Sequence, residues 1–78
     1  MLEQKGQLDA AIRQYVAALR LKPDYARAHF NLGVALGRKG QVDPAIAELE
    51  ETLKLDPGYA PAQTNLARLL DLKSSLHK

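Results

Sequence analysis

The stretch KGQLDAAI, residues 5–12, returns at residues 39–46 as KGQVDPAI. The two copies are 34 positions apart. When the chain is slid against itself by that distance, residues 2–44 face residues 36–78, and 17 of the 43 pairs are identical. The identities fall in order along the chain: Gly6 with Gly40, Ala11 with Ala45, Leu19 with Leu53, Pro23 with Pro57, Tyr25 with Tyr59 and Asn31 with Asn65. A fixed period between about 20 and 50 residues marks a repeat architecture, in which a unit cannot bury its apolar face alone and stacks on its neighbours.

Working outward from the repeated words, the pattern inside the period is helical. Leu8, Ile12, Tyr15 and Leu19 recur at steps of three and four, as do Val42, Ile46, Leu49 and Leu53. Strand-type alternation is absent. Asp9 and Asp43 are placed to cap helix N-termini, with Pro44 at a first helical position, where its missing N–H is no loss. Pro23 and Pro57 end the helices before them, and Gly6 and Gly40 read as tight turns. The spacing predicts helices over about 9–22, 25–39, 43–55 and 60–75, with residues 1–7 as a short lead-in.

Composition narrows the classes open to such a chain. Apolar residues make up 46% and charged residues 26%, the balance of a soluble globular domain. At 78 residues only one small domain fits. The net charge of +2 is too mild to argue for nucleic acid. Cysteine is absent, which excludes disulfides and thiolate metal sites. No apolar run approaches the roughly 18–20 residues of a membrane span, and charged and amide residues interrupt residues 1–20 too often for a secretory signal. The expectation is a cytoplasmic chain that uses neither membrane nor nucleic acid.

The period and helix phase give the chain its resemblance. It resembles the tetratricopeptide repeat, a 34-residue helix-turn-helix unit with an aromatic, Leu-Gly, a large residue, a small Ala, a large apolar residue and a closing Pro. The central unit carries Leu32, Gly33, Leu36, Ala45, Leu49 and Pro57. His29 stands in the aromatic slot, so that contact should be weaker. The unit before it contributes Gly6, Ala11, Tyr15 and Pro23; the unit after contributes Gln63 in the aromatic slot, then Leu66, Ala67 and Leu70. The resemblance implies an all-α fold of antiparallel helix-turn-helix repeats of 34 residues, stacked as a short right-handed superhelix, an α-solenoid. Residues 1–24 would form a partial repeat, 25–58 a full one and 59–78 a second partial one. Ala11, Gly33, Ala45 and Ala67 would permit close helix approach, and Ala45→Leu should overpack the junction at roughly 1–3 kcal/mol.

Nothing in the chain points to catalysis. No Ser–His–acid grouping, Gly-rich phosphate loop or metal-ligand spacing is present, and no cofactor is expected. His29 reads as a packing residue and His77 as a solvated tail. Glu48, Glu50 and Glu51 read as an exposed helix face, and Lys5, Lys39 and Lys73 as turn-surface residues that follow the period.

Binding is the better reading. In the family that the chain resembles, the first helix of each unit lines a concave groove that holds extended peptide segments of partners. On the first such helix, Arg27, Asn31, Val34 and Arg38 share a stripe beside Phe30, offset from the packing face of Ala28, Leu32 and Ala35. On the second, Pro61, Asn65, Arg68 and Leu72 occupy the matching stripe beside Thr64. An Asn amide donates to a peptide carbonyl and accepts from a peptide N–H at once. Asn31 and Asn65 therefore suggest a ladder that grips an extended backbone, the alternative being bonds to neighbouring helices or water. Arg27, Arg38 and Arg68 against Asp71 favour an acidic or carboxylate-ended ligand, bound weakly. Pro61 and Asn65 stand where the chaperone-tail subclass places basic residues, which argues against that ligand. RNA-reading helical repeats typically have a 35-residue period and a base code not seen here.

The other protein-binding reading is self-assembly. Tyr15 on an early helix, and Leu66, Leu69 and Leu70 on the last one, with Leu76, should be partly uncovered. A last helix of first-helix type could complete a repeat with the second-type helix of another copy, giving head-to-tail oligomers. The chain could equally be a fragment of a larger array.

Overall fold

A computed structural model describes the backbone of residues 2–76 and the side chains of residues 6–75. Leu76 as an uncovered side chain, His77 as a tail and Lys5 as a turn residue lie outside the described residues. Four helices follow one another: α1 (Leu2–Leu21), α2 (Ala26–Arg38), α3 (Val42–Leu55) and α4 (Ala60–Leu76). No strand occurs among the described residues. The first helix packs on the second, the second on the third and the third on the fourth, and α2 also meets α4. This is a helical-repeat solenoid in which each helix touches near neighbours. No helix among the described residues is long and apolar enough to cross a membrane.

The α2–α3 turn has a full backbone account. Gly40, at φ +83°, is the one described residue in the left-handed region. Its N–H donates to the Gly37 carbonyl at 3.0 Å, and the Gln41 N–H donates to Leu36 at 2.9 Å. These paired bonds satisfy carbonyls that the helix end would leave orphaned, and glycine takes the left-handed position without a Cβ clash. At the other two turns the helices end at Leu21 and Leu55, two residues before Pro23 and Pro57, and the Tyr25 and Tyr59 N–H groups each bond the carbonyl three residues back at 3.1 Å.

The same words do not fold the same way twice. The expected lead-in over residues 1–7 is part of α1, which runs unbroken through Gly6. Gly6 has helical backbone, with nothing within 4 Å of where a Cβ would sit. Continuing the helix through Gly6 adds a hydrogen bond per residue, whereas at Gly40 the chain folds back and α3 packs on α2. Asp9 is accordingly mid-helix rather than a cap. The α3 N-cap is Gln41, not Asp43. Asp43 is the second helical residue, where a carboxylate still favours the helix dipole. Pro44 is the third, still among the positions without an intrahelical N–H bond.

Both aspartates serve the stack instead. Lys39 Nζ lies 2.6 Å from Asp9 Oδ1, and Lys73 Nζ lies 2.9 Å from Asp43 Oδ1. The two pairs are the same contact one repeat apart, each joining a lysine at or after a first-type helix to an aspartate of the second-type helix before it. Lys39 and Lys73 are thus inter-helix ties. They are partly exposed, so each contributes about 0–1 kcal/mol.

The core is a strip along α2 and α3. Ala28, Leu32, Ala35, Ala45, Ile46, Leu49 and Ala62 are buried, with Thr52 returning its hydroxyl to the Glu48 carbonyl at 2.9 Å. Gly33 lets α2 and α3 approach. A Cβ there would sit 3.0 Å from Leu49 Cγ and 3.2 Å from the Ala45 carbonyl oxygen. Its counterpart Ala67 is exposed rather than a close-packing residue; among the described residues no helix packs over that side of α4.

Candidate functional site

Most residues of the predicted stripes, though not Pro61, Thr64 or Leu72, line neighbouring clefts of the stack. Leu8, Ala11 and Tyr15 of α1, Phe30, Asn31, Val34, Ala35 and Arg38 of α2, and Asn65 of α4 line one cleft of about 290 Å³. A second cleft shares Tyr15 and Asn31 with it and adds Arg27 and Tyr25. A third, between α2, α3 and α4, shares Val34, Arg38 and Asn65 with the first and adds Arg68, Leu69, Gly33, Gly37 and Leu49. The three form one trough across the stack. Helical spacing explains this: Asn31, Val34 and Arg38 step by three and four and so share a face.

Of the residues predicted to bind, Asn31, Asn65, Arg27, Phe30, Val34, Arg38 and Arg68 line the trough. Thr64 is exposed on α4 and lines none of these clefts. Of the residues predicted for self-association, Tyr15 and Leu69 also line the trough, Leu66 is half-buried, and Leu70 is 47% exposed. Leu8, Ala11, Gly37 and Leu49 join the site without having been expected there. Tyr59 is a further addition: its ring centroid is 5.1 Å from that of Phe30, at 45°. That contact steadies Phe30 against the α3–α4 turn and adds about 0.5–1.5 kcal/mol. The shared aromatic at Tyr25 and Tyr59 was the available signal.

The charged residues lining these clefts are all arginines. Among the described residues Arg27, Arg38 and Arg68 make no ion pair. The half-buried amides of Asn31 and Asn65 sit among apolar walls. The trough can therefore take apolar groups, pair with peptide groups and accept anions.

Behind the trough, the aromatic slot of the repeat carries a polar clasp. His29 Nε2 is 2.8 Å from the Pro23 carbonyl oxygen and Nδ1 is 2.7 Å from Glu48 Oε1. Gln63, one repeat on, donates from Nε2 to the Pro57 carbonyl at 2.8 Å. In both units the side chain six residues after the proline ties down the turn. Glu48 is thus half-buried and bonded to His29, not a solvated surface residue as expected. A carbonyl only accepts, and so does an ionised carboxylate, so both His29 bonds form only when the ring carries both protons. Burial alone would lower the His29 pKa. The bonds to Glu48 and Pro23 and the charges of Glu48 and Glu51 outweigh it, and the pKa rises above the ordinary 6.5.

No group of His, Asp and Glu suited to a metal ion occurs among the described residues. Family models described as TPR repeat and Tetratricopeptide repeat match residues 1–40 and residues 26–59. No curated protein matches the chain significantly. Repeats of this kind generally mediate protein–protein interaction and are typically non-enzymatic. With a 34-residue period, paired helices that stack on near neighbours, and a match over more than half its length, the chain belongs to the tetratricopeptide-repeat family.

Proposed function

We propose that the trough binds an extended, acidic segment of a partner protein, with Asn31 and Asn65 holding its backbone. The observation that carries this reading is that two asparagines 34 positions apart line one cleft whose only charged residue is an arginine. Each amide can pair with both sides of a peptide group, so the grip depends on the backbone more than on side chains. The arginines speed encounter with an acidic segment and set its polarity.

The test is the double variant Asn31→Ala with Asn65→Ala, measured by fluorescence anisotropy against labelled acidic heptapeptides in extended form. Counting one net hydrogen bond of roughly 0.5–1.5 kcal/mol for each asparagine, the combined weakening is about 5- to 150-fold, with helicity unchanged. Undiminished affinity in a folded double variant rejects the ladder.

One observation favours a second reading, self-association. Ala67 and Leu70 face solvent on α4, while their counterparts Gly33 and Leu36 belong to the helix that packs on α3. The α1 helix of another copy repeats Ala11, Ile12 and Leu19 of the α3 pattern and would suit that face. Light scattering over a hundredfold concentration range tests it. A constant monomer mass, unaltered by Tyr15→Glu and Leu70→Glu, rejects it.

A further inference from the structure

The third cleft of the trough has a feature that packing leaves unexplained. Gly33 and Gly37 stand one turn apart on α2 and so share a face. Gly33 is required by the close approach of Leu49 and the Ala45 carbonyl. Gly37 is not. A Cβ there would meet Leu69 at 3.7 Å and Ala45 Cβ at 3.9 Å, which are ordinary contacts, and its φ is not in the left-handed region. Glycine inside a helix nevertheless costs about 0.8–1.0 kcal/mol relative to alanine. What the missing side chain does is leave space: a cavity of about 230 Å³ with Leu49 as its floor, Val34 and Leu69 as walls, and Asn65, Arg38 and Arg68 around it. Apolar cavities of about 150 Å³ already admit a benzene-sized group.

We infer that this cavity is a specificity pocket that takes one large aliphatic side chain from the interior of the bound segment, with carboxylate side chains on either side of it. The inference rests on the trough being a peptide site and names what that site selects. The walls accept hydrocarbon. The two arginines have no acid partner among the described residues, and they set the charge of the neighbours. An aliphatic residue in a run of Asp and Glu matches both features. A basic or purely polar segment matches neither.

The probes are capped, fluorescein-labelled peptides Ser-Glu-Asp-Xaa-Asp-Glu-Ser with Xaa either Leu or Ala, titrated by anisotropy with the 78-residue protein. The Leu peptide should bind about tenfold or more tightly than the Ala peptide. Gly37→Leu fills the pocket and should erase that ratio. Gly37→Ala, whose Cβ makes only ordinary contacts, should narrow the ratio and guards against a misfolded Gly37→Leu. Arg38→Gln with Arg68→Gln should weaken both peptides and flatten the salt dependence. Equal binding of the two peptides by the unmodified protein overturns the pocket and leaves the trough standing. Binding only by a Leu-ended peptide with a free terminal carboxylate overturns the assignment to an internal residue. No binding of any of these peptides overturns both pocket and trough.

Discussion

Replacing His29 by glutamine separates the two halves of the polar clasp. Gln63 already shows the outcome at the equivalent position, where an amide donates to the proline carbonyl at 2.8 Å. His29→Gln therefore keeps the tie to Pro23 and gives up the bond to Glu48. In the unmodified protein the charged ring makes both bonds. When it loses a proton it keeps one, as glutamine does. Because the folded His29 pKa is raised above its unfolded value of 6.5, the extra stability is fully present below about pH 6.5 and is lost as pH rises through the folded pKa. Inside that window the slope approaches about 1.4 kcal/mol per pH unit. Hydrogen bonds to charged groups contribute about 1.5–3 kcal/mol. The side chains of His29 and Glu48 are 13% and 27% exposed, so the lower end applies. The variant should be about 1.5 kcal/mol less stable than the parent at pH 6, a drop of roughly 6–12 °C in Tm, and the gap should close as pH rises through the folded pKa of His29. Thermal melts followed by circular dichroism from pH 6 to 9 measure this. His77 is common to both proteins, so its titration cancels in the difference. Parallel pH profiles for parent and variant would refute a charged ring bridging Glu48 and Pro23.

Three further outcomes follow from the glycines and the small core residues. Gly6→Ala should stabilise by about 0.5–1 kcal/mol because Gly6 is helical with open space around it, whereas Gly40→Ala should cost about 1–2 kcal/mol at its positive φ; urea melts that moved in the same direction would place Gly6 in a turn after all. Gly33→Ala should destabilise by about 1–2 kcal/mol despite its better helix propensity, since Leu49 is fully buried and the Ala45 carbonyl cannot yield, while Gly37→Ala should raise Tm. Ala45→Leu should cost roughly 1–3 kcal/mol, because Ala45 is fully buried where α2 and α3 approach, and an unchanged midpoint would mean that the repeat phase is misassigned.

The solenoid was legible because the chain states its pattern nearly twice. The 34-residue identities located three of the four helices to within a residue or two, and the packing face of Ala28, Leu32 and Ala35, with the small residue at Ala45, marked the strip that became the core. What the repeat could not show is that identical words take their structure from their surroundings. KGQ closes a helix at residues 39–41, where α2 folds back on α3, and sits inside α1 at residues 5–7. In the site, Asn31, Val34, Arg38, Asn65 and Arg68 could be found by helical spacing because they lie on stripes. Leu49 could not, since it joins the cleft from α3, and Leu69, one turn beyond Asn65 on α4, was assigned to self-association instead. Nor could the third cleft itself, which is made by a side chain that Gly37 lacks. Glu48 was misread because its partner is 19 residues away on a different helix. The proline six residues before both His29 and Gln63 was the overlooked sign that the aromatic slot holds a donor.

The pattern of helix contacts also sets how the molecule comes apart. Among the described residues α1 packs on α2 alone, whereas α4 is held by both α3 and α2. Energetically the chain is closer to a zipper than to a sphere, with stability summed over neighbouring pairs. Amide exchange should accordingly be slowest in the middle of α2 and α3 and grade outward, α1 fraying without first disturbing the α3–α4 pair. A segment bound in the trough as proposed would meet α1 at Tyr15, α2 at Asn31 and α4 at Asn65. It would bridge α1 and α4, which do not pack on each other, so that the two would lose the freedom to open independently and the zipper would acquire a second seam.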